Sequence, residues 1–318
     1  MKALVTGAAG FAGSHLVDSL LEQGHEVAAC GLAPQGGAAL PPNVTWVELD
    51  VTDAQACWNV LADQRPDAVY HLAGVAHVSQ AEADPERALA VNFGGTRNML
   101  ESCLDGFVNT RFLLASSAEV YGRVPTEQQP VREDHPLAPG TAYALSKAAA
   151  EMAVHHAVAR GLHAVVARPF NHIGPRQSDD FVASAFAHQV ARIEAGEQDP
   201  VLEVGNLEAV RDLSDVRDIV RGYQEVLRVG QPGEVFNLTS GGAVRIADLL
   251  DTLLELSSAT IEVRTDPARM RPLDVPVFHG SGTRLEERCG FVAPLDLKRT
   301  LGDVLDYWRA SVSRNLAR

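Results

Sequence analysis

The stretch TGAAGFAG, residues 6–13, sets the architecture expected of this 318-residue chain. It follows a short apolar run and carries Gly7, Gly10 and Gly13. Gly7 would allow a tight turn, Gly10 the close approach of the backbone to a pyrophosphate, and Gly13 the packing of helix on strand. A helical pattern begins at Phe11, and a helix N-terminus attracts anions. We therefore expect this turn, with Phe11, to bind a dinucleotide. The alternative is a glycine-rich turn that binds nothing.

Apolar strands alternate with helical patterns through the first half of the chain. The predicted strands cover residues 2–6, 26–30, 44–49, 68–72, 111–115 and 164–167, and the predicted helices 11–23, 54–62, 86–104 and 142–160. This alternation predicts right-handed crossovers and a parallel sheet covered by helices on both faces. The expected fold class is α/β, a doubly wound sheet of Rossmann type, and we assign residues 1–168 to this dinucleotide-binding domain.

Strand and helix patterns alternate less regularly after Arg168. Helical patterns at 181–194, 216–228, 246–256 and 301–309 are separated by short strand patterns at 201–204, 234–238 and 261–264. We interpret residues 169–318 mainly as a smaller α/β cap that binds substrate, with some segments returning to the sheet.

The composition is that of an acidic globular protein. Hydrophobic residues make up 46% and charged residues 21%, which excludes global disorder. A net charge of −14 disfavours nucleic acid as a partner. No apolar run approaches the ~20 residues of a membrane span, and the first residues match no signal peptide. The four cysteines form no CxxC pair, so we expect a cytoplasmic protein without a metal site.

Further candidate cofactor residues lie at predicted strand ends. Asp50 and Val51 end the third strand, where a carboxylate can reach an adenine amino group. Leu72, Ala73 and Gly74 end the fourth strand, and the small residues among them leave room for the cofactor. Each of these residues, taken singly, is also ordinary at the end of a strand.

The end of the second predicted strand bears on the choice of cofactor. An acidic residue there would hold a ribose 2′-hydroxyl, and an arginine would hold a 2′-phosphate. Residues 30–32 read Cys-Gly-Leu, and no Arg or Lys follows before Arg65. NAD and NADP therefore both remain open at this point.

A serine and a Tyr-x-x-x-Lys pair supply candidate chemistry. Ser117 and Glu119 follow the fifth strand, and Tyr143 and Lys147 begin the next helix, where they share a face. A free tyrosine has a pKa of ~10, so we expect the Lys147 ammonium to lower the pKa of Tyr143. Ser117 would then orient a substrate oxygen for proton transfer. The alternative for such a pair is a half-buried tyrosine beside a solvated lysine.

These motifs resemble those of extended short-chain dehydrogenases/reductases that act on nucleotide sugars, and the likeness covers nearly the whole chain. The glycine turn and the Ser/Tyr/Lys set are typical of the superfamily. The second half is most similar to the GDP-6-deoxy-4-keto-mannose reductases, which form GDP-rhamnose. The segments that carry this likeness are RPFNHIGP (168–175), VGNL (204–207), RD and DV (211–216), DPARMRP (266–272) and YW (307–308).

The resemblance implies roles in substrate binding. Asn171 is expected to hold the diphosphate or ribose of the substrate. Arg211 and Arg271 are expected to pair with phosphates, for which a guanidinium presents a fixed fork of donors. Asp274 stands where the family has a carboxylate for ribose hydroxyls. The remaining substrate residues implied are Arg176 and Val182.

The resemblance also extends the set of cofactor residues. It implies that Asn92, Pro169 and His172 contact the cofactor, together with Tyr143 and Lys147. His172 could equally be a packed core histidine, because it lies between Asn171 and an isoleucine.

The activity implied by the resemblance is NAD(P)H-dependent reduction of the C4 ketone of a GDP-4-keto-6-deoxyhexose. Glu119 stands where the related GDP-mannose 4,6-dehydratases have the base that removes the C5 proton, although those relatives have threonine in place of Ser117. Such a dehydratase, or a 4-epimerase that recycles its nicotinamide, is the alternative enzyme. A nicotinamide-sensing regulatory protein is the alternative outside catalysis, and the intact Ser117, Tyr143 and Lys147 disfavour it.

The family further suggests a homodimer in which helices 86–104 and 142–160 pair with their copies as a four-helix bundle. Apolar residues on both helices would supply the packing. They are Leu89, Val91, Met99, Leu100, Ala148, Met152, Val154 and Val158. These side chains could instead be used entirely against the sheet.

Overall fold

A parallel sheet of seven strands organises the residues that the computed structural model describes, 1–32, 40–41, 44–270 and 275–316. The expected substrate residues Arg271 and Asp274 lie outside these described residues. The strands of the first half are β1 (Lys2–Thr6), β2 (Glu26–Gly31), β3 (Thr45–Glu48), β4 (Ala68–His71), β5 (Arg111–Ala115) and β6 (Ala164–Pro169). The helices are α1 (Phe11–Glu22), α2 (Ala54–Gln64), α3 (Val78–Ala83), α4 (Pro85–Leu89), α5 (Thr96–Gly106) and α6 (Ala142–Ala159).

The second half of the chain contains shorter strands between its helices. The strands are β7 (Asn171–Ile173), β8 (Val201–Val204), β9 (Val210–Arg211), β10 (Leu213–Asp215), β11 (Val235–Leu238), β12 (Val244–Arg245), β13 (Glu262–Thr265) and β14 (Val277–Phe278). The helices are α7 (Val182–Glu194), α8 (Val216–Val229), α9 (Ile246–Leu256), α10 (Thr283–Cys289) and α11 (Leu297–Leu316).

The strand order of the main sheet, β11-β6-β5-β4-β1-β2-β3, creates a crevice. The chain starts at β1, runs outward through β2 and β3, and returns to β4 on the other side of β1. Each neighbouring pair is parallel, so the carboxyl ends of all seven strands lie at one edge. Doubly wound sheets bind ligands where the strand order reverses, which here is between β1 and β4. The predicted fold class is confirmed.

Apolar side chains cover both faces of this sheet. On one face α1 and α8 contribute buried residues such as Leu16 and Tyr223, which pack with Phe236 of β11. On the other face α2, α5 and α6 pack around Leu61 and Phe112. Each such side chain stabilises the fold by about 1.5–3 kcal/mol when fully buried. The helices therefore hold the carboxyl ends of the strands in fixed positions.

The chain after β6 contributes both to the sheet and to a cap. β11 pairs with β6 and extends the main sheet, and α8 packs against α1. A separate apolar cluster joins α7, α9 and α11 with β8. β7 pairs with β10 beyond the end of β6, so the cap begins directly beside the crevice.

The helix predicted at 86–104 is interrupted in the middle. α4 ends at Leu89, residues Ala90–Gly95 form a π-helical stretch, and α5 continues from Thr96. π-helical turns are rare and often lie at functional sites. This one contains the buried Asn92, one of the expected cofactor residues.

Half of the residues predicted for the dimer face are buried inside the protomer, so the prediction is wrong for them. Leu89 and Met152 are exposed, together with Leu145, which the sequence pattern did not single out. The helical period identified the apolar positions, but packing of α5 and α6 within the chain already uses several of them. The residues buried inside the protomer are Met99, Leu100, Ala148 and Val154.

The glycine turn after β1 has no room for side chains at two positions. Gly7 has a φ of +68°, and a Cβ built there would lie 2.8 Å from the amide nitrogen of Ala73, just after β4. A Cβ on Gly13 would overlap the carbonyl oxygen of Gly7 and lie 2.9 Å from the Cα of Ala8. Gly7 therefore permits the contact between the two strand ends, and Gly13 permits α1 to start against the turn.

We expect Gly13→Ala to lower the free energy of unfolding by about 1–3 kcal/mol, because backbone atoms must move to admit the methyl group. The same displacement should weaken the binding of reduced nicotinamide dinucleotide, measured by its fluorescence. Gly302→Ala is the matched control: Gly302 lies in α11 with open space around it. This control should raise stability by up to about 1 kcal/mol. Equal stability of the two variants in urea unfolding would contradict the assignment.

Candidate active site

The N-terminus of α1 faces the crevice. Gly10 precedes the helix, and its N–H donates to the carbonyl of Gly7 at 3.0 Å. Ser14 is the first residue whose N–H reaches back to Gly10, at 2.9 Å, so the N–H groups of the first helical turn have no acceptor within the helix. Free N–H groups and the helix dipole favour a phosphate group at this position. The turn therefore fits the pyrophosphate of a dinucleotide.

The start of α1 also contacts the segment after β6. The rings of Phe11 and His172 stack with centroids 5.6 Å apart and planes at 7°. One turn along α1, His15 Nε2 lies 2.9 Å from the carbonyl oxygen of Pro175. Burial lowers the pKa of His172, so the ring is neutral when it packs on Phe11. The structure thus places His172 beside the glycine turn, where the cofactor was expected, and Pro169 at the buried end of β6.

The other expected cofactor residues lie along the same edge of the sheet. Asp50 is exposed two residues beyond β3, and its carboxylate accepts hydrogen bonds from the N–H and hydroxyl of Thr52, at 2.9 and 2.7 Å. Val51 is buried against Gly95. Directly after β4, the N–H of Ala73 donates to the hydroxyl of Thr6 at 3.1 Å. The neighbouring residues of this strand end are Leu72 and Gly74.

Asn92 holds the loop after β4 in place. Its Oδ1 accepts from the N–H of Val75 at 2.8 Å, and its Nδ2 donates to the Val75 carbonyl at 3.1 Å and to Ser146 Oγ at 2.8 Å. A Cβ at Gly74 would lie 2.7 Å from Asn92 Oδ1 and 3.4 Å from Lys147 Nζ. The amide therefore fixes a glycine surface between the π-helical stretch and α6.

The structure brings Ser117, Tyr143 and Lys147 together at the carboxyl end of β5. Each is less than a tenth exposed: 8% for Ser117, 9% for Tyr143 and 6% for Lys147. The tyrosine hydroxyl is hydrogen-bonded to Ser117, and Lys147 Nζ donates to the carbonyl of Ala115 at 2.9 Å. The hydroxyl of Ser117 also accepts from the N–H of Glu119 at 3.2 Å. A serine hydroxyl and a phenol thus meet in a buried position, and the buried ammonium of Lys147 lies one helical turn farther along α6.

The expectation that Lys147 lowers the pKa of Tyr143 is not met. Burial raises the pKa of Tyr143 to about 12, the hydrogen bond with Ser117 opposes this, and the charge of Glu119 adds to it. The Lys147 ammonium is directed at Ala115, and its own pKa falls to about 8 because it is buried. At neutral pH the tyrosine is therefore a proton donor and the lysine a cation.

A fully buried ion pair lies behind these three residues. Arg168 donates through Nε to Glu151 Oε1 at 2.9 Å and through Nη2 to Oε2 at 2.6 Å. Ser116, the neighbour of Ser117, donates its hydroxyl to the same carboxylate. Arg168 Nη1 also donates to the Tyr121 hydroxyl at 2.9 Å, and Tyr121 in turn donates to Asn237 at 2.7 Å. The sequence analysis assigned no role to these residues, although Glu151 follows Lys147 by one helical turn.

His71 is a second buried group that the sequence analysis missed. It ends β4, and its Nδ1 lies 2.9 Å from the hydroxyl of Thr6. Its Nε2 is buried without a partner among the described residues. Burial lowers the pKa of His71 to about 3, and the nearby charge of Lys147 lowers it further. The ring is therefore neutral beside the ammonium.

The expected substrate residues on the cap lie beyond β6. Asn171 is exposed at the start of β7, and Arg211 is half-buried on β9. Next to Arg211, the buried carboxylate of Asp212 accepts from the N–H groups of Ser240 and Gly280, both at 3.1 Å. Burial raises the pKa of Asp212. Asp212 thus connects the segment after β9 with the loops that contain Ser240 and Gly280, next to Arg211.

Two further expected substrate residues lie in different surroundings. Arg176 has a φ of +72° and pairs with Asp18 of α1 at 2.7 Å, so it contacts the helix that begins at the glycine turn. Val182 is 37% exposed at the start of α7. It follows Phe181, whose ring centroid lies 4.6 Å from that of His77 in the loop after β4. This contact brings the start of α7 over the crevice.

Neither a cluster of metal-binding type nor a membrane-crossing helix occurs among the residues that the structure describes. The buried polar groups of the crevice are instead hydroxyls, an amide, an ammonium and an imidazole, beside a turn that has glycine at residues 7, 10 and 13. This set fits a dinucleotide cofactor.

Comparison with known proteins identifies the family of the chain. Residues 3–239 match the NAD dependent epimerase/dehydratase family. A GDP-6-deoxy-D-mannose reductase from Pseudomonas aeruginosa is 36% identical over 98% of both chains. A GDP-mannose 4,6-dehydratase from Yersinia enterocolitica is 27% identical over 96% of this chain and 92% of its own. The solved structure of RMD from Pseudomonas aeruginosa complexed with NADPH matches with a TM-score of 0.84 and 34% identity, over 98% of this chain and 99% of that one. The chain therefore belongs to the NAD-dependent epimerase/dehydratase family and is an NAD(P)-dependent oxidoreductase.

Proposed function

We propose that the protein reduces the C4 ketone of a GDP-4-keto-6-deoxyhexose to a GDP-6-deoxyhexose such as GDP-rhamnose, with NADPH or NADH. The observation that carries this proposal is the buried, protonated Tyr143, hydrogen-bonded to Ser117 at the carboxyl end of β5. Similarity to the reductase of Pseudomonas aeruginosa over nearly the whole chain supports the same activity.

The catalytic roles follow from the contacts of the three side chains. The Ser117 hydroxyl holds the ketone oxygen, and Tyr143 donates its phenolic proton to that oxygen as negative charge develops there. The Lys147 ammonium stabilises the phenolate that remains. A reduced nicotinamide dinucleotide, held through its pyrophosphate by the glycine turn, would supply the hydride for C4. Because the three groups are buried, water does not compete for the proton.

Sequence similarity favours reduction over the alternative reactions, because the Pseudomonas aeruginosa reductase is 36% identical and the Yersinia enterocolitica dehydratase 27%. A reductase needs a proton donor at the start of turnover, and burial keeps Tyr143 protonated at neutral pH. A 4,6-dehydratase or a 4-epimerase begins by oxidising the C4 hydroxyl, for which Tyr143 would have to act as a base. The position of Glu119, whose charge acts on Tyr143, favours the dehydratase as second candidate, with Glu119 as the C5 base.

The substrate is proposed to lie between the crevice and the cap formed mainly by residues 169–318. Asn171 on β7, Val182 at the start of α7 and Arg211 on β9 belong to the segments that follow β6 in the chain. We assign the diphosphate and ribose contacts to Asn171 and Arg211, with Arg271 and Asp274 completing the set. Such anchoring orients one face of the ketone, and positioning of this kind supplies much of the rate acceleration.

A cytoplasmic homodimer is part of the proposal. The cysteines Cys30, Cys57 and Cys103 are buried free thiols, as expected in a reducing compartment. Leu145 and Met152, two helical turns apart on α6, are 56% and 52% exposed. Together with the exposed Leu89 near the end of α4 they form an apolar stripe, which a second copy of α5 and α6 would cover as a four-helix bundle.

The reaction itself is tested with two sugars. We expect the protein to consume NADPH or NADH with GDP-4-keto-6-deoxymannose, seen as loss of reduced-nicotinamide absorbance. GDP-mannose alone should give no 4-keto product, because reduction needs a ketone at the start. Conversion of GDP-mannose without added reductant would instead establish the dehydratase, with Glu119 as its base.

We expect Tyr143→Phe to lower kcat by about 100- to 10,000-fold, the range of general acid catalysis, with little change in cofactor affinity. Tyr70→Phe is the matched control, because Tyr70 is equally buried but lies on β4 away from the crevice edge. Its turnover should stay near that of the wild type. Turnover of Tyr143→Phe close to wild type would remove the tyrosine from proton transfer.

The dimer is tested by light scattering at micromolar concentration. The wild type should have about twice the 34.0 kDa mass of the chain. We expect Met152→Glu with Leu145→Glu to give a monomer, because two charges would be buried in the bundle. Val292→Glu, at another exposed apolar residue, should leave the dimer intact. A monomeric wild type would end this part of the proposal.

A further inference from the structure

Glu151 is a buried carboxylate that the proposed reaction does not use directly. It is 0% exposed on α6, one helical turn after Lys147, and it is paired in two hydrogen bonds with Arg168 of β6. Desolvation makes a buried ion pair a weak source of stability, and well-packed apolar residues of similar volume often serve as well. The pair therefore points to a role other than stability.

The first part of that role lies in the backbone of residues 115–117. The carbonyl of Ala115 accepts a hydrogen bond from Lys147, and the hydroxyl of Ser116 donates one to Glu151. The hydroxyl of Ser117 is hydrogen-bonded to Tyr143. The last residue of β5 and the two residues that follow it are thus hydrogen-bonded to residues on three successive turns of α6. Glu151 is the attachment that lies farthest from the crevice.

The far end of the same segment is attached as well. Residues Ala118–Tyr121 form a short 3₁₀ turn that begins after Ser117 and carries Glu119. At its end, the hydroxyl of Tyr121 accepts from Arg168 at 2.9 Å, and the guanidinium lies over the Tyr121 ring, 4.8 Å from the centroid. The ion pair therefore holds the segment that bears Ser117 from both sides.

The second part of the role is electrostatic. The charge of Glu151 on α6 acts on Lys147, and the charge of Lys147 acts on His71 at the end of β4. Tyr143 lies one turn before Lys147 on α6, and Arg168 on β6 pairs with Glu151. Tyr143 and His71 are neutral at working pH, because burial moves the pKa of each away from neutrality in the uncharged direction. Burial lowers the pKa of Lys147 to about 8, and Glu151 opposes this decrease. The carboxylate is thus the group that favours the charged lysine.

We propose that Glu151 is a positioning residue of this active site: it fixes the segment that carries Ser117 and supplies the negative charge that keeps Lys147 an ammonium ion. The role of Lys147 as a cation beside the phenolate rests on the proposed function, but its charge state is a property of the protein alone. Two measurements therefore separate the two proposals.

The direct test uses the lysines of the chain. The sequence contains three, Lys2, Lys147 and Lys298, so protein labelled with ¹³C at lysine Cε gives three signals that Lys2→Arg and Lys298→Arg assign. Cε shifts report loss of the ammonium proton as pH rises. In the wild type Lys147 should titrate near pH 8. In Glu151→Gln its pKa should be at least about one unit lower, because an opposite charge is removed.

Glu151→Gln leaves the charge of Arg168 buried without the carboxylate that neutralises it, which can unfold the chain. The double variant Glu151→Gln with Arg168→Met removes both charges at similar volume and should regain the melting temperature of the wild type. Its Lys147 should still titrate at a lower pH than in the wild type, because the charge that acts on Lys147 is that of Glu151 and not that of Arg168. Ser116→Ala is the matched control: it removes one hydrogen bond to Glu151 and keeps both charges, so the titration of Lys147 should be unchanged.

Turnover supplies the second measurement. In the folded double variant the alkaline decline of kcat should begin at least about one pH unit earlier than in the wild type, with kcat about fivefold lower at pH 8. Ser116→Ala should lower kcat at every pH, and the pH at which the alkaline decline of kcat begins should stay that of the wild type. A folded double variant with wild-type titration of Lys147 would overturn the proposal. A wild type that titrates as expected but does not reduce the ketosugar would contradict the proposed function and leave the assignment of Glu151 standing.

Discussion

The direct contact between the backbone after β1 and the backbone after β4 is the constraint on which the site depends. No side chain separates the two strand ends, because Gly7 lies against Ala73 and Gly13 lies against Gly7. α1 can therefore start at the crevice with its N–H groups toward it, and Phe11 can reach the segment after β6. With a larger residue at either position the helix would start farther from the sheet, and the phosphate site would lose its shape.

Burial governs the chemistry at the end of β5. A low-dielectric surrounding disfavours charge, so it keeps Tyr143 neutral and weakens the hold of Lys147 on its proton. The same surrounding strengthens the interaction between Lys147 and the fixed carboxylate of Glu151. The site thus combines an acid that burial keeps neutral with a cation whose charge is opposed by burial and favoured by Glu151.

The sequence predicts the sheet and its helices because their apolar periodicity is local. It also predicts the meeting of Tyr143 and Lys147, since four residues on a helix always return to one face. The ion pair of Glu151 and Arg168 could not be derived in this way, because it depends on how α6 packs against β6. Similarly, the apolar residues of α5 and α6 were identified, but only the packed structure shows that Met99 faces inward while others are exposed.

The rise in the pKa of Tyr143 likewise could not be predicted from the sequence. Spacing places an ammonium near the phenol, but it does not reveal that the ammonium is directed at a carbonyl, nor how deeply both groups are buried.

The helix predicted at 301–309 is longer in the structure for a related reason: α11 runs over Leu297–Leu316 because α7 and α9 pack along it. Contacts distant in sequence set these features.

The stacking of Phe11 on His172 connects the glycine turn directly to the start of the cap. Phe11 is the first residue of the helix that faces the phosphates, and His172 lies in β7, next to Asn171. A ligand that moves one ring alters its contact with the other, and this contact offers a route for coupling between binding at the two places. Thermodynamic linkage then requires reciprocity: whatever factor the first ligand applies to the affinity of the second, the second applies to the first.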